Sequence, residues 1–251
     1  MCGRTTHLYT WREVAEHFGM DWARPMHGLQ PDRDLAPRYN VAPGQFAPVV
    51  RDQAGGDGGD GGDRRLDLLR WGLIPPWAKD EKFGWRTINA RGETVAAKPA
   101  FRSAFKRRRC IVPVSGFYEW RAPPSDAPKQ TPKQPFYVTP RAGPILALAG
   151  LWERWSGGAD GASLETFTIV TTEANAGMAP LHDRMPVILS PETYDLWLDP
   201  TVDDARVLQP LLRPAPEDVL VYDPVSRLVN RPGHDSPDCI EPIALDGEAP
   251  P

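Results

Sequence analysis

The feature that most restricts how this chain can fold is a series of short apolar runs, each four to eight residues long and rich in β-branched and aromatic side chains. Runs of this length, bounded by proline, glycine and polar residues, are typical of β-strands. Several are continuous rather than alternating, which indicates strands buried on both faces. The runs lie at 46–50, 66–71, 110–114, 117–121, 136–139, 145–152 and 166–171. We therefore expect a fold dominated by β structure.

Helical signals are fewer and lie outside these runs. Thr10-Trp11-Arg12-Glu13 is a capping box that opens a short amphipathic helix ended by Gly19. Ser190 followed by Pro191 marks a second helix start, and 202–212 is predicted to form a third helix. The expected fold is one α+β domain over 1–251, with helices at the edges of a β-rich core.

Four segments are predicted to lie outside this core. The Gly/Asp-rich insertion 54–63 is too polar to pack and is expected to be a flexible hairpin loop. A proline-rich loop is predicted at 122–134 and a glycine-rich turn at 156–163. The chain becomes coil-rich from about Arg227, and we expect 243–251 to be a disordered tail.

Composition narrows the class of protein. A hydrophobic content of 41% and a charged content of 25% are those of a soluble globular protein, and no apolar run approaches the roughly 20 residues of a membrane span. No apolar leader follows Met1, so we expect a cytoplasmic monomer with no membrane partner. Three scattered cysteines and five histidines without ligand spacing argue against a disulfide framework and a metal site, and we expect no cofactor.

The charge is unevenly distributed. The net charge is −4, yet the segment 77–121 holds eleven Lys or Arg against four acidic residues, a local charge of +7. Tryptophans accompany it at 71, 77, 85 and 120. Lys and Arg side chains can contact phosphates, and neighbouring aromatic rings can stack on bases, so this combination is typical of a site for single-stranded nucleic acid. A solvated basic face with ordinary core tryptophans explains the same pattern, and the composition does not separate the two.

Cys2 stands directly behind Met1. Removal of the methionine would leave one residue with both a free α-amine and a thiol. Such an aminothiol can condense with an aldehyde and close a five-membered thiazolidine, or can attack an amide as an N-terminal nucleophile. Taken alone, the position could equally be accidental.

Three short segments place polar residues where solubility does not explain them. Asn89 and Arg91 lie two residues apart, so an extended backbone would direct both to one face. Glu119 lies among three aromatic residues, which would favour a neutral carboxyl able to shuttle protons. His182 and Arg184 lie between prolines just before an apolar run.

Each of these residues also has a plain structural interpretation. Glu119 could be an edge-strand glutamate paired with Arg121 or Lys133, and His182 a hydrogen-bonded loop histidine. A surface ion pair would explain Arg91 or Arg184 as well as a phosphate contact does.

The motifs taken together resemble the SRAP family of abasic-site processing proteins, named for SOS response-associated peptidase activity. The matching segments are Met1-Cys2-Gly3-Arg4, Arg38-Tyr39-Asn40-Val41-Ala42-Pro43-Gly44, Trp71-Gly72-Leu73 with Pro76-Trp77, Ile88-Asn89-Ala90-Arg91-Gly92-Glu93-Thr94, Gly116-Phe117-Tyr118-Glu119-Trp120 and Leu181-His182-Asp183-Arg184-Met185-Pro186. The resemblance continues to Cys239-Ile240-Glu241-Pro242 and departs from the family pattern at 54–63, at 122–134 and past Pro242.

The resemblance implies a distorted β-barrel core of mixed strands with peripheral helices, and a partner that is single-stranded DNA containing abasic sites. It implies that Cys2 forms a thiazolidine crosslink with the ring-opened sugar, which shields the lesion from strand cleavage. The implied catalytic residues are Cys2, Asn89, Glu119 and His182. The implied DNA-binding residues are Arg4, Asn40, Pro43, Gly44, Trp71, Trp77, Arg91, Trp120 and Arg184, with Lys98, Arg102 and the run 106–109 as possible extensions.

Two other functions remain open at this point. Cys2 could serve an N-terminal-nucleophile peptidase or amidase, assisted by Glu119 and His182, which includes removal of its own Met1. A non-covalent single-strand binding module would need only tryptophan stacking and the basic groove.

Overall fold

The fold is described from a computed structural model, which covers residues 2–21, 35–52, 64–157 and 162–245. The predicted loop 54–63 therefore lies outside the described residues, as do 246–251 of the predicted tail. Residues 243–245 of that tail are described, and the amide of Ile243 donates to the carbonyl of Pro224 at 2.8 Å.

Twelve strands account for most of the regular structure among these residues. They are β1 (Thr5–His7), β2 (Arg38–Val41), β3 (Phe46–Asp52), β4 (Arg64–Trp71), β5 (Asn89–Arg91), β6 (Arg109–Val114), β7 (Gly116–Arg121), β8 (Gln134–Pro140), β9 (Leu146–Trp155), β10 (Leu164–Glu173), β11 (Arg184–Pro186) and β12 (Leu220–Pro224). The α-helices are α1 (Trp11–His17), α2 (Arg102–Arg107), α3 (Tyr194–Leu198) and α4 (Ala205–Leu208). Short 3₁₀ turns lie at Glu81–Arg86, Pro191–Thr193, Gln209–Leu211, Glu217–Val219, Arg227–Asn230 and Pro237–Cys239.

Five strands close into a barrel. Around it the order is β10, β4, β3, β6 and β9, and β9 pairs with β10 again to complete the ring. The β10–β4 pair is parallel and the other four pairs are antiparallel, so the barrel is mixed. The expected α+β fold with a β-barrel core of mixed strands is confirmed.

A second, antiparallel sheet brings the N-terminus to the barrel. Its order is β12, β8, β7, β1 and β2, with Thr5 opposite Phe117. Val41 and Phe117 of this sheet share an apolar cluster with barrel residues such as Val49 and Val112, and Cys2 belongs to the same cluster. The start of the chain is therefore held between the two sheets.

The longer elements match the sequence predictions. All seven predicted strands are present, as β3, β4 and β6 to β10. The capping box at Thr10 is formed, with the hydroxyl accepting from the amide of Glu13, and Gly19 follows the helix with a φ of 66°. The helix predicted at 202–212 is partly wrong, because Asp204 caps a start at residue 205 and Pro210 lacks the amide needed to continue α-helical bonding.

Within the described part of the chain, no helix has the length and apolar character needed to cross a membrane.

Candidate active site

Cys2 is fully buried, with 0% of its surface exposed. Its carbonyl accepts a hydrogen bond of 2.9 Å from Nδ2 of Asn89. Burial raises the pKa of the thiol, and the nearby Glu119 carboxylate raises it further. The thiol of the chain that still carries Met1 is therefore held in its protonated form, next to the carboxyl group that could take up its proton.

Asn89 reaches Cys2 from β5, which pairs in parallel with the end of β10. Alternation along this strand directs Ala90 into the core, whereas Asn89 is half-buried and Arg91 is exposed. The expectation that Asn89 and Arg91 share a face matches this strand. Oδ1 of Asn89 is buried and has no hydrogen-bond partner among the described residues, so the site contains an acceptor that no protein donor uses.

Glu119 lies on β7, directly opposite Phe136 of β8, and only 2% of its surface is exposed. The aromatic residues on either side of it are held by their own hydrogen bonds. Tyr118 donates its hydroxyl to the carbonyl of Tyr39 at 2.6 Å, and Trp120 donates Nε1 to Oδ1 of Asn230 at 2.7 Å. These contacts hold the strand in place on either side of Glu119.

His182 lies in the loop between β10 and β11. This loop is closed by the amide of Ala174, which donates to the carbonyl of Asp183 at 3.0 Å. Nδ1 of His182 accepts from the amide of Arg184 at 3.0 Å, so the proton of a neutral ring is assigned to Nε2. Nδ1 also lies 2.7 Å from Oδ1 of Asp183.

Arg184 is already paired in this structure. Its guanidinium makes a bidentate pair with Glu93, at 2.7 and 2.9 Å, and donates to the carbonyl of Thr171 at 2.8 Å. The amide of Gly92 donates to the same carbonyl at 2.8 Å. The segments that carry Asn89 and His182 are thus joined through β10.

The structure brings three of the four predicted catalytic residues together. Asn89 is hydrogen-bonded to Cys2, and Glu119 lies close enough to Cys2 to act on the pKa of its thiol. Among the described residues, no hydrogen bond joins the side chain of His182 to those three. A substrate between β5 and the 174–183 loop would have to complete that connection.

The predicted DNA-binding residues divide into two groups. Trp77 is 57% exposed, Arg91 is exposed, and Pro43 and Gly44 are half-buried, so all four can meet a strand. Asn40 and Trp71 are 0% and 1% exposed, so their side chains face the protein interior in this structure, and their contact with DNA stays a prediction. Asn40 instead bonds three main-chain carbonyls, those of Val229, Arg231 and His234, and Trp71 stacks on Phe167 at 6.0 Å.

Arg4 and Trp120 also make protein contacts. Arg4 donates to Oδ1 of Asn40 and to the carbonyl of Val229, both at 2.7 Å. Trp120 is half-buried and is bonded through Nε1 to Asn230, so its ring can meet DNA only at its outer part.

Two of the four residues in the run 106–109, Arg108 and Arg109, make contacts within the protein, whereas Lys106 and Arg107 are exposed. Arg109 is 2% exposed and donates to the carbonyls of Phe105 at 2.8 Å and Trp197 at 2.5 Å, and burial lowers its pKa to about 10. Arg108 pairs with Glu153 at 2.6 Å. Because these side chains hold α2 and α3 against the barrel, the local charge of +7 overstates the charge presented to a ligand.

Two exposed aromatic residues were not among the predicted DNA contacts. Phe46 is 51% exposed and Trp85 is 63% exposed. A Cβ at Gly44 would lie 2.7 Å from the ring of Trp85, so the ring covers the glycine. Trp85 lies in the basic segment, which could have indicated a contact with DNA. Phe46 begins a strand, and its sequence context gives no such indication.

Comparisons with known proteins agree with this geometry. The family described as SOS response associated peptidase (SRAP) matches residues 1–232. The protein named abasic site processing protein YoqW from Bacillus subtilis is 42% identical, over 96% of this chain and 99% of its own length. Abasic site processing protein HMCES from Xenopus tropicalis is 31% identical, over 98% of this chain and 79% of its own. A crystal structure from Bacteroides thetaiotaomicron has a TM-score of 0.79 at 25% identity, over 97% of this chain and all of its own.

Proposed function

The chain belongs to the SRAP (SOS response associated peptidase) family, and from that premise we propose that it captures abasic sites in single-stranded DNA covalently through Cys2. Relatives that cover nearly the whole chain are named abasic site processing proteins, which supports abasic-site processing as the function. The covalent step and the single-stranded partner are our proposal.

The reaction needs the α-amine of Cys2, so Met1 must first be removed. The amine then attacks the C1′ aldehyde of the ring-opened sugar, and loss of one water gives an imine. The sulfur adds to the imine carbon while the thiol proton passes to the nitrogen, which closes the thiazolidine. Because the ring no longer contains an iminium carbon, it does not promote cleavage of the strand.

The observation that carries this proposal is the arrangement of Asn89 around Cys2. Its Nδ2 holds the Cys2 carbonyl at 2.9 Å, while its Oδ1 is buried without a donor among the described residues. A buried acceptor without a partner costs about 1–3 kcal/mol. An amine or a sugar hydroxyl arriving beside Cys2 would supply the donor and recover that free energy when the substrate binds.

The surroundings of the thiol suit the second step. Burial and Glu119 raise the pKa of the Cys2 thiol, so an unprocessed thiol is a poor nucleophile. A protonated imine on the same residue would lower that pKa at this step, because a neighbouring positive charge favours the thiolate. In our proposal Glu119 receives the thiol proton and assists loss of water.

The deciding experiment mixes the purified chain with an abasic single-stranded oligonucleotide and measures intact mass after denaturation. We expect a chain without Met1 that carries the oligonucleotide with the loss of one water. Cys2→Ala keeps an amine but has no thiol, so it should give only an imine that borohydride traps. Equal heat-stable adduct in the wild type and Cys2→Ala would overturn the proposal, as would adduct formation by a chain that retains Met1.

Glu119→Gln tests the proton transfer separately. Since general acid–base catalysis contributes about 10²–10⁴-fold, crosslinking should slow by at least tenfold, while reversible affinity for an intact oligonucleotide changes less than twofold. Single-turnover crosslinking and fluorescence anisotropy measure the two quantities. A parallel loss of affinity would show that Glu119 holds the structure rather than moves protons.

The peptidase activity in the family's description is the second candidate. The full burial of Cys2 favours an intramolecular reaction, cleavage of the Met1–Cys2 bond, over attack on an external peptide. Expression of Glu119→Gln with its N-terminus read by mass would separate self-processing, which would then retain Met1, from removal by a cellular aminopeptidase.

A further inference from the structure

A second cluster of reactive side chains lies in the segment 227–240, which follows β12. His234 offers Nε2, Asp238 a carboxylate oxygen and Cys239 its Sγ, and these three atoms all lie within 4.8 Å of one another. Cys239 is fully buried, while His234 and Asp238 are partly exposed, so a small ion can enter from solvent. The proposed function uses none of the three residues.

The contacts inside the cluster point to one shared position. Nε2 of His234 lies 2.9 and 3.0 Å from the two carboxylate oxygens of Asp238 and 3.1 Å from Oγ of Ser236. One ring nitrogen thus faces three oxygen atoms, and either a proton or a cation can bridge them. Sγ of Cys239 makes a weak contact of 3.5 Å with the carbonyl of His234.

The donor set selects the kind of cation. Imidazole nitrogen, carboxylate oxygen and thiolate sulfur together suit Zn²⁺, which binds them at about 2.0–2.3 Å, whereas Ca²⁺ and Mg²⁺ prefer oxygen ligands alone. The nitrogen and the carboxylate already have the spacing that tetrahedral ligands require. The sulfur lies within 4.8 Å of the other two ligand atoms, and a change of side-chain rotamer would bring it to bonding distance of the same ion.

We propose that His234, Asp238 and Cys239 bind one zinc ion, with water as its fourth ligand and the hydroxyl of Ser236 beside that water. Zinc is bound by the thiolate, so zinc binding would release the Cys239 thiol proton into solvent. The site goes beyond the proposed function and does not depend on it.

The location gives zinc a structural consequence. The carbonyl of His234 accepts from Nδ2 of Asn40 at 2.7 Å, and Oδ1 of Asp235 accepts the amides of Tyr39 and Asn40. Asn40 in turn accepts from Arg4, two residues from Cys2. Zinc would therefore rigidify the segment that braces the N-terminal strand.

The test titrates the metal-stripped full chain with Zn²⁺ and, separately, with Co²⁺ as a spectroscopic probe. We expect one zinc per chain, a higher thermal unfolding midpoint with zinc, and thiolate-to-cobalt charge-transfer absorption. His234→Ala and Cys239→Ser should each weaken zinc binding at least tenfold, and Cys239→Ser should abolish the charge-transfer band. Cys2→Ser is the matched cysteine control and should bind zinc as the wild type does.

Unchanged zinc affinity in both cluster variants, or no saturable binding to the wild type, would overturn the proposal. If Cys239→Ser fails to fold, His234→Asn decides, because that side chain is partly exposed and its loss leaves the buried thiol in place. Loss of zinc binding in Cys2→Ser alone would place the metal at the candidate active site and also refute the proposal.

Discussion

Arg4 and Asn40 illustrate how a residue near a reactive centre can serve it without touching the substrate. Each matches a family motif. The side chain of Asn40, however, donates to carbonyls of the 227–240 segment and accepts from Arg4. Hydrogen bonds to a charged group are worth roughly 1.5–3 kcal/mol each. Both residues therefore position the strand that leads to Cys2.

His7, on the same strand, gives a prediction about pH. It is 4% exposed, and burial, followed by the charge of Arg38, lowers its pKa to about 3, against a smaller opposing effect of Asp235. The unfolded chain takes up a proton at this residue near pH 6.5, while the folded chain does so only near pH 3. The contribution of neutral His7 to the free energy of unfolding is therefore fully present above about pH 6.5, and it is lost as the pH falls toward 3.

Urea unfolding of the wild type and of His7→Gln, each at pH 7.5 and pH 5.0, measures this effect. At about 1.4 kcal/mol per pH unit, the wild type should lose roughly 2 kcal/mol more than the variant over that interval. Equal losses in the two proteins would mean that His7 titrates normally in the folded state.

At the scale of elements, the sequence predicted the strands of the barrel and the strand that carries Glu119, but missed β5, which carries Asn89, and β11, which follows His182. The seven predicted strands are runs of four or more residues rich in apolar, aromatic and β-branched side chains, a signal long enough to detect. Five strands were not predicted, β1, β2, β5, β11 and β12. Three of these, β1, β5 and β11, have only three residues each and contain polar side chains. Such strands exist because their neighbours pair with them, and a local pattern contains no information on those neighbours.

The turn between β2 and β3 gives a prediction at this scale. Gly44 has a φ of 85°, and a Cβ there would lie 2.7 Å from the exposed ring of Trp85. Gly44→Ala should therefore cost about 1–2 kcal/mol of backbone strain and also displace the ring. If Trp85 stacks on bases, the affinity for single-stranded DNA should fall by the amount seen in Trp85→Ala, and the double variant should lose little more.

Gly143→Ala is the matched control for backbone strain. Its φ is 75°, and nothing lies within 4 Å of the added Cβ. Gly143→Ala should lose a similar free energy of unfolding through backbone strain, while its affinity for DNA stays that of the wild type. Weakened DNA binding in this control would attribute the effect of Gly44→Ala to lost stability instead of to Trp85.

At the scale of the whole molecule, the candidate site joins segments that lie far apart in the chain. The closed barrel places β5 beside β10, and the second sheet brings Cys2, which precedes β1, to the same apolar cluster as Phe117 of β7. The family resemblance predicts Cys2, Asn89 and Glu119 as site residues. Only the fold shows that Asn89 is hydrogen-bonded to the backbone of Cys2. The contact of Arg109 with Trp197 has no local sequence pattern, because it joins segments far apart in the chain. The cluster at His234 lies within residues 234–239, and only the folded segment shows that its three ligand atoms approach within 4.8 Å.

The charge that the segment 77–121 presents to DNA also depends on the whole fold, because some of its basic side chains lie at the surface and others lie in the interior. Lys82 and Arg91 are exposed, whereas Arg109 is buried among carbonyl groups. For single strands, each phosphate contact contributes about 0.7 to the slope of log affinity against log salt concentration. Lys82→Gln and Arg91→Gln should each reduce that slope by about this amount, measured by anisotropy with an intact oligonucleotide. Arg12→Gln, on α1 outside the basic segment, should leave the slope unchanged, and an equal reduction in this control would show that binding follows total charge rather than a defined surface.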